Sequence, residues 1–245
     1  MQKLKRLKCL NKLSLQLIAM GCMLLDHIWG AGLPAPEWFT CVGRIAFPIF
    51  AFFIAEGFVR TRDWKKYLLR MFLFALASEI PFNLMAGGGI LYPIHQDVMF
   101  TFCIALLCLR WLEHLRQKHE GTVLWALDIL MVCAVGFLAG TVLFVDYYGF
   151  GVLTVIVFYL FREQKWGWLP SLVCLWYINW VALGGLVYPV GPIEIPRQAI
   201  ALLALPLIWL YNGKTGPKTP AIQYACYAFY PVHLLIVGVL AVYVL

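Results

Sequence analysis

Residues Leu15–Gly30 read LQLIAMGCMLLDHIWG, and residues Cys41–Phe58 read CVGRIAFPIFAFFIAEGF. A short break containing Pro34 and Pro36 separates them. With their flanking residues, both runs approach the roughly 20 apolar residues that a helix needs to cross hydrocarbon. They nevertheless carry Asp26, His27, Arg44 and Glu56. An ionisable side chain at the centre of a membrane helix costs about 2.5–3.5 kcal/mol on insertion scales. Such groups persist where they pair or where they work, so an intramembrane Asp-His followed by Arg and Glu marks a candidate site. The plainer alternative is that His27 is an interfacial residue at a helix end.

Composition gives the class. Mean hydropathy is +0.82, 63% of residues are hydrophobic and 13% are charged, against about 25% charged in a soluble domain. The expectation is an all-α polytopic membrane protein forming a single domain over residues 1–245. The basic start MQKLKRLKCLNK is followed by an apolar run that continues through Asp26 and His27 with no small-residue cleavage pattern, so the first helix is expected to be retained. The eight cysteines form no CxxC and no zinc spacing. No disulfide framework and no metal is expected.

Nine hydrophobic segments follow one another, near residues 13–31, 42–59, 67–86, 97–113, 122–145, 149–162, 167–185, 197–211 and 222–244. With the N-terminus in the cytosol, the inner side holds Lys3, Lys5, Arg6, Lys8, Lys12, Arg60, Arg62, Lys65, Lys66, Arg70, Arg110, Arg116, Lys118, Arg162, Lys165, Lys214 and Lys218. These are seventeen of the nineteen basic residues, leaving Arg44 and Arg197 on the outer half. Such a split predicts nine spans, with the C-terminus outside. The net charge of +7 is then a topology signal. No nucleic-acid motif accompanies it, and the partner it implies is the bilayer. The outer connections are rich in Gly and Pro, the longest being LGGLVYPVGPIEIPR at Leu183–Arg197, and are expected to be irregular.

Depth along the helices sorts the polar residues. His27 lies 15 residues beyond Lys12, roughly 22 Å up the first helix, which puts it in the outer half. Arg44 begins the descending second helix at similar depth. Arg44 is therefore expected to meet Asp26 or His27, and Glu56 is not. Asp26 and His27 are about 100° apart around the helix and do not share a face, so Asp26 is better placed to pair with Arg44 than to orient His27. Glu79, just before a helix break expected at Pro81, joins Asp97, Asp146, Asn179 and His233 as candidate lining of an acceptor-side cavity. Each of these taken alone reads as an interfacial residue or an interhelical hydrogen bond. On the cytosolic side, EGFVRTRDWKKYLLR gathers Glu56, Arg60, Arg62, Lys65, Lys66 and Arg70. Clustered Arg and Lys bind phosphate, although anchoring beside anionic lipid explains the same cluster more simply. No P-loop or dinucleotide fingerprint is present.

The blocks LIAMGCMLLDHIWG (Leu17–Gly30) and GRIAFPIFAFFIAEGFVRTRDWKKYLLRMFLFALASEIPF (Gly43–Phe82) resemble the TraX family of membrane proteins. So do DVMFTFCIAL, DYYGFGVLTV, ALPLIWLYNGKTG and YAFYPVHLL further on. The resemblance runs from about Leu15 to Leu235. It implies kinship with the transmembrane acyltransferases, which draw on cytosolic acyl-CoA and use a histidine in the first core helix. By that resemblance His27 is the catalytic histidine, with Asp26 and Arg44 beside it. Acetyl-CoA is the donor, with its phosphates at Glu56–Arg70. The acceptor is a small molecule or peptide: an amine, such as a pilin N-terminus, or a hydroxyl. The implied location is the bacterial cytoplasmic membrane. The chemistry is consistent. Imidazole can take the acceptor's proton or be transiently acylated itself, and a cation such as Arg44 can stabilise the carbonyl oxygen as it gains charge or hold Asp26 in place. From the residues alone, a proton-coupled transporter of a small polar solute and a non-catalytic assembly protein stay open.

Overall fold

The computed structural model describes residues 8–162, 164, 166–217 and 219–244. Lys3, Lys5, Arg6, Lys165 and Lys218 of the basic pattern lie outside the described residues. The elements in order are α1 (Lys12–Gly30), α2 (Trp38–Gly43), α3 (Ala46–Arg60), α4 (Trp64–Gly87), α5 (Val98–His119), α6 (Val123–Val142), α7 (Tyr148–Phe161) and α8 (Trp168–Trp176). A π-helical stretch, Tyr177–Ala182, continues α8. Then come strands β1 (Val187–Val190) and β2 (Ile193–Pro196), a 3-10 stretch Arg197–Leu203, α9 (Ala204–Trp209) and α10 (Pro220–Val244).

The protein is all-α and built for a membrane. Among the described residues, six helices are long and apolar enough to cross one: Lys12–Gly30, Trp38–Arg60, Trp64–Gly87, Val98–His119, Val123–Val142 and Pro220–Tyr243. Tyr148–Phe161, Trp168–Ala182 and Arg197–Trp209 are apolar but shorter. Large apolar side chains such as Leu130, Leu138 and Leu235 are exposed, as expected where the surrounding solvent is lipid. Helices satisfy their own backbone in hydrocarbon, which is why the apolar runs take this form.

Three expectations are corrected. Pro81 does not break α4, which continues to Gly87. Membrane helices tolerate an internal proline because local adjustment and neighbouring groups satisfy the freed carbonyl. The fourth apolar segment does not stop near residue 113, since α5 runs to His119. Its last turns carry Arg116, Lys118 and His119, cations that suit a helix C-terminus. The long outer loop is not wholly irregular. β1 and β2 pair antiparallel around Gly191-Pro192, with Gly191 at φ +62, the Gly-X pattern of a tight hairpin turn.

Two compact units share the chain. One comprises Met1–Phe50, Pro81–Ile90 and Leu175–Leu245, the other Ala51–Ile80 and Leu91–Cys174. In the first, α1 packs against α2 and α10, and α2 against the 3-10 stretch. The start of α1 is stitched to the loop after α9. The Leu10 amide donates to the Leu210 carbonyl at 3.0 Å, that of Asn212 to the Leu10 carbonyl at 2.8 Å, and that of Lys12 to the Lys214 carbonyl at 2.8 Å. Asn11 caps the helix by accepting from the Ser14 amide at 2.9 Å.

In the second unit α5, α6 and α7 pack on one another, and small residues set the spacing. A methyl group on Gly149 would lie 2.3 Å from the Phe137 carbonyl oxygen. The α6–α7 connection is tight. Phe144, Tyr147 and Tyr148 all have positive φ, a conformation uncommon outside glycine. Bonds from the segment before α5 and from α5 hold it: the Gln96 amide to the Phe144 carbonyl at 2.8 Å and the Asp146 amide to the Gln96 carbonyl at 3.1 Å, and the buried Thr101 hydroxyl to the Asp146 carbonyl at 2.7 Å.

Candidate functional site

The first unit holds Asp26, His27, Arg44, Asn179 and His233. Asp26 and Arg44 form a hydrogen-bonded ion pair, with side chains 15% and 22% exposed. Thr40 donates its hydroxyl to Asp26 Oδ1 at 2.7 Å. Arg44 also reaches that hydroxyl at 3.1 Å and donates from Nε to the Thr40 carbonyl at 3.3 Å. The geometry depends on the short α2, which places Thr40 one turn before Arg44. It depends too on Gly43, where an added Cβ would come within 2.3 Å of Asp26 Cβ. Glycine is what lets α2 approach α1 this closely.

From Arg44 the network runs on. Its Nη1 donates to Gln198 Oε1 at 3.4 Å, Gln198 Nε2 to Asn179 Oδ1 at 3.0 Å, and Asn179 Nδ2 to the Leu175 carbonyl at 2.8 Å. Gln198 and Asn179 are buried. Asn179 sits in the π-helical stretch, a distortion frequent at functional sites. Arg197 lies over the Trp29 ring at 4.9 Å, which ties the end of α1 to the hairpin.

The His27 ring meets a second imidazole. Its Nδ1 lies 2.7 Å from His233 Nε2 on α10. The two rings are parallel to within 5° at a centroid distance of 5.0 Å. His233 Nδ1 lies 2.6 Å from the Phe229 carbonyl one turn back. The Phe229 ring stacks on His233 at 4.5 Å, and Tyr230 meets both imidazoles edge-on, at 6.3 and 5.7 Å. His233 is 5% exposed.

The remaining candidates lie in the second unit. Glu79 Oε2 accepts from the Asp97 amide at 3.3 Å. Asp97, fully buried, caps α5 by accepting from the Met99 amide at 2.7 Å. Asp146 pairs with His95 at 3.3 Å. That hydrogen bond holds the His95 ring above its ordinary value of 6.5, against the opposing effect of burial. Thus Glu79, Asp97 and Asp146 stand with one another, whereas Asn179 and His233 stand with the residues around Asp26 and His27.

At the basic turn Glu56 holds Arg60 at 2.5 Å. Asp63 caps α4 through the Lys66 amide at 3.0 Å, a bond that keeps its carboxyl below the usual carboxylate range. Arg70 Nε donates to the Lys66 carbonyl at 3.3 Å. Arg60, Arg62, Lys65, Lys66 and Arg70 are all exposed, with Arg60 paired to Glu56 and Lys66 to Asp63 at 3.5 Å. Glu56, a carboxylate, orients Arg60 and is no ligand for phosphate itself.

The family model described as TraX protein matches residues 12–241. The chain belongs to the TraX family. Among its relatives, a protein of Dichelobacter nodosus named "Probable fimbrial assembly protein FimC, serogroup H1" is 28% identical over 233 residues, 90% of this chain and 91% of that protein. "Protein TraX" of Escherichia coli is 28% identical over 239 residues, 91% of this chain and 84% of that protein. No solved structure matches. In this TraX-family chain the quoted blocks surround the polar groups. LIAMGCMLLDHIWG carries Asp26 and His27, YAFYPVHLL carries Phe229 and His233, and ALPLIWLYNGKTG holds the foot of α1. Sequence reasoning missed Thr40, Gln198 and Gly43, which carry no charge and stand out only by what they touch.

Proposed function

We propose that this chain is an integral-membrane acyltransferase of the cytoplasmic membrane, moving acetyl from cytosolic acetyl-CoA to an amine or hydroxyl acceptor. A fimbrial subunit, offering its N-terminal amine, is the acceptor we favour, because the name of the Dichelobacter relative ties that protein to fimbrial assembly. The observation that carries the reading is the histidine pair: a membrane imidazole held by a second imidazole, beside a carboxylate–guanidinium pair. A residue kept only for packing has no need of either.

In this reading the acceptor nitrogen attacks the acetyl carbonyl carbon. The nitrogen gives its proton to His27, the carbon–sulfur bond breaks, and the sulfur leaves with that proton as the CoA thiol. Arg44 faces the carbonyl oxygen as it gains negative charge. Asp26 and Thr40 fix the guanidinium plane and offset its charge at rest. The phosphates of CoA lie on Arg60, Arg62, Lys65, Lys66 and Arg70, and no metal takes part.

The test is CoA release from purified, monodisperse protein in nanodiscs, with labelled acetyl-CoA and a panel of amines and peptides. His27→Ala is expected to lower turnover by roughly 10²–10⁴-fold, as removing a positioned acid–base does, while CoA still binds. Turnover within a few fold of wild type would shift the reading to a non-catalytic assembly role, which the name of the Dichelobacter relative supports.

A further inference from the structure

We propose that His233 is a positioning residue that holds His27 in a single tautomer, with the proton on Nδ1 and the basic lone pair on Nε2. The kinetic part of this proposal rests on the acyltransferase reading; the tautomer itself does not.

The assignment follows from one end of the chain of contacts. A backbone carbonyl only accepts hydrogen bonds, and His233 Nδ1 lies 2.6 Å from the Phe229 carbonyl oxygen. That nitrogen must carry the proton. In a neutral imidazole the other nitrogen then has a lone pair and accepts. His233 Nε2 is 2.7 Å from His27 Nδ1, so His27 Nδ1 carries the proton and donates it. The basic nitrogen of His27 is therefore Nε2, on the far side of the ring from His233. Two hydrogen bonds in series, anchored on a helix carbonyl, settle which nitrogen of His27 can take a proton from an acceptor.

The surroundings hold this geometry. His233 is clamped between the Phe229 face at 4.5 Å and the edge of Tyr230, and α10 carries Phe229 and His233 on one face, four residues apart. The parallel imidazoles face each other edge to edge, as a linear N–H···N bond requires, and are too far apart to stack face on face. The logic is that of any base oriented by a third group. Here the orienting group is a neutral ring, whereas Asp26, the neighbouring carboxylate, is already bound to Arg44 and Thr40.

The test has two arms. In the first, ¹⁵N-histidine-labelled protein in nanodiscs is examined by NMR above the titration range of the ring, with His27 assigned through His27→Asn. The expected result is Nδ1 protonated and Nε2 bare. A wild-type His27 with its proton on Nε2 overturns the proposal without any mutant's fold entering the question. In the second arm His233→Phe, which keeps a ring and offers no acceptor, is compared with His233→Gln, whose side-chain oxygen can accept from Nδ1–H. The Phe variant is expected to show both His27 tautomers and a kcat at least about tenfold lower, with KM for acetyl-CoA unchanged. The Gln variant is expected to restore both the tautomer and most of kcat. If the Phe variant keeps the single tautomer, His233 does not set it and the proposal falls. If wild type shows the expected tautomer and no acetyl transfer to any acceptor, the acyltransferase reading fails while the positioning role stands.

Discussion

Gly43 decides how near α2 can come to α1. Its missing side chain leaves the space into which the Asp26 methylene fits, so Gly43→Ala sets two carbons 2.3 Å apart, and Asp26 Cβ cannot swing aside as a side-chain tip would. The helices must separate, and Thr40 and Arg44 move with α2. Overpacking of this kind costs about 1–3 kcal/mol. Unfolding of Gly43→Ala in detergent should show that loss, and unchanged stability would contradict the close approach. At this scale the sequence was legible only where charge made residues conspicuous. Asp26, His27 and Arg44 stand out in apolar runs, and the expected meeting of Asp26 with Arg44 is the arrangement found. His233 was flagged for its own depth but not as the partner of His27, because nothing local links residues 206 apart. Gln198 and Thr40 have the polarity of ordinary loop and helix residues.

Elements can be tested through their termini. His95 and Asp146 join the segment before α5 to the segment before α7. Because the hydrogen bond from Asp146 raises the His95 pKa above 6.5, the folded state binds a proton more tightly than the unfolded one. The resulting stability is fully present below about pH 6.5 and is lost as pH rises through the raised folded value. Thermal melts across about pH 5.5–8.5 should show this decline, and Asp146→Asn should flatten it. The turn between α3 and α4 gives a second test, since the proposed reading sets the phosphates of CoA on its exposed cations. Replacing Arg60 and Arg62 together by Ala should weaken CoA binding and make it less salt-dependent than in wild type. Equal affinity in the folded double variant would reduce the turn to an anchor. Helices were legible as apolar runs. Pro81 was misread because a rule learned in water was applied in lipid, where helix is the cheaper backbone. The hairpin was hidden in a loop whose prolines argue against strands, until Gly191 supplies the turn.

For the whole molecule, the all-α membrane class follows from composition alone. The distribution of basic residues makes a sharper statement about orientation. A reporter fused after Leu245 should read the outer side and one inserted at Lys214 the cytosol. A cytosolic signal at the C-terminus would remove the nine-span arrangement, and with it the placing of His27 in the outer half.

The stitching of Leu10, Lys12 and Leu13 to the loop Leu210–Thr215 has a consequence in time. During synthesis α1 enters the membrane before α2 and α10, already carrying Asp26 and His27. Arg44 follows within a few seconds at about 5–20 residues per second, so the ion pair can form early. The strand-like contacts at the foot of α1, and the imidazole that meets His27, arrive only with the last quarter of the chain, after Ala51–Ile80 and Leu91–Cys174 have been made. Until then the first helix has the ion pair and its packing against α2 without the contacts at its foot. A chain cut short before α10 carries the ion pair and lacks the second imidazole, so chemistry that needs both rings begins only after α10 has been made.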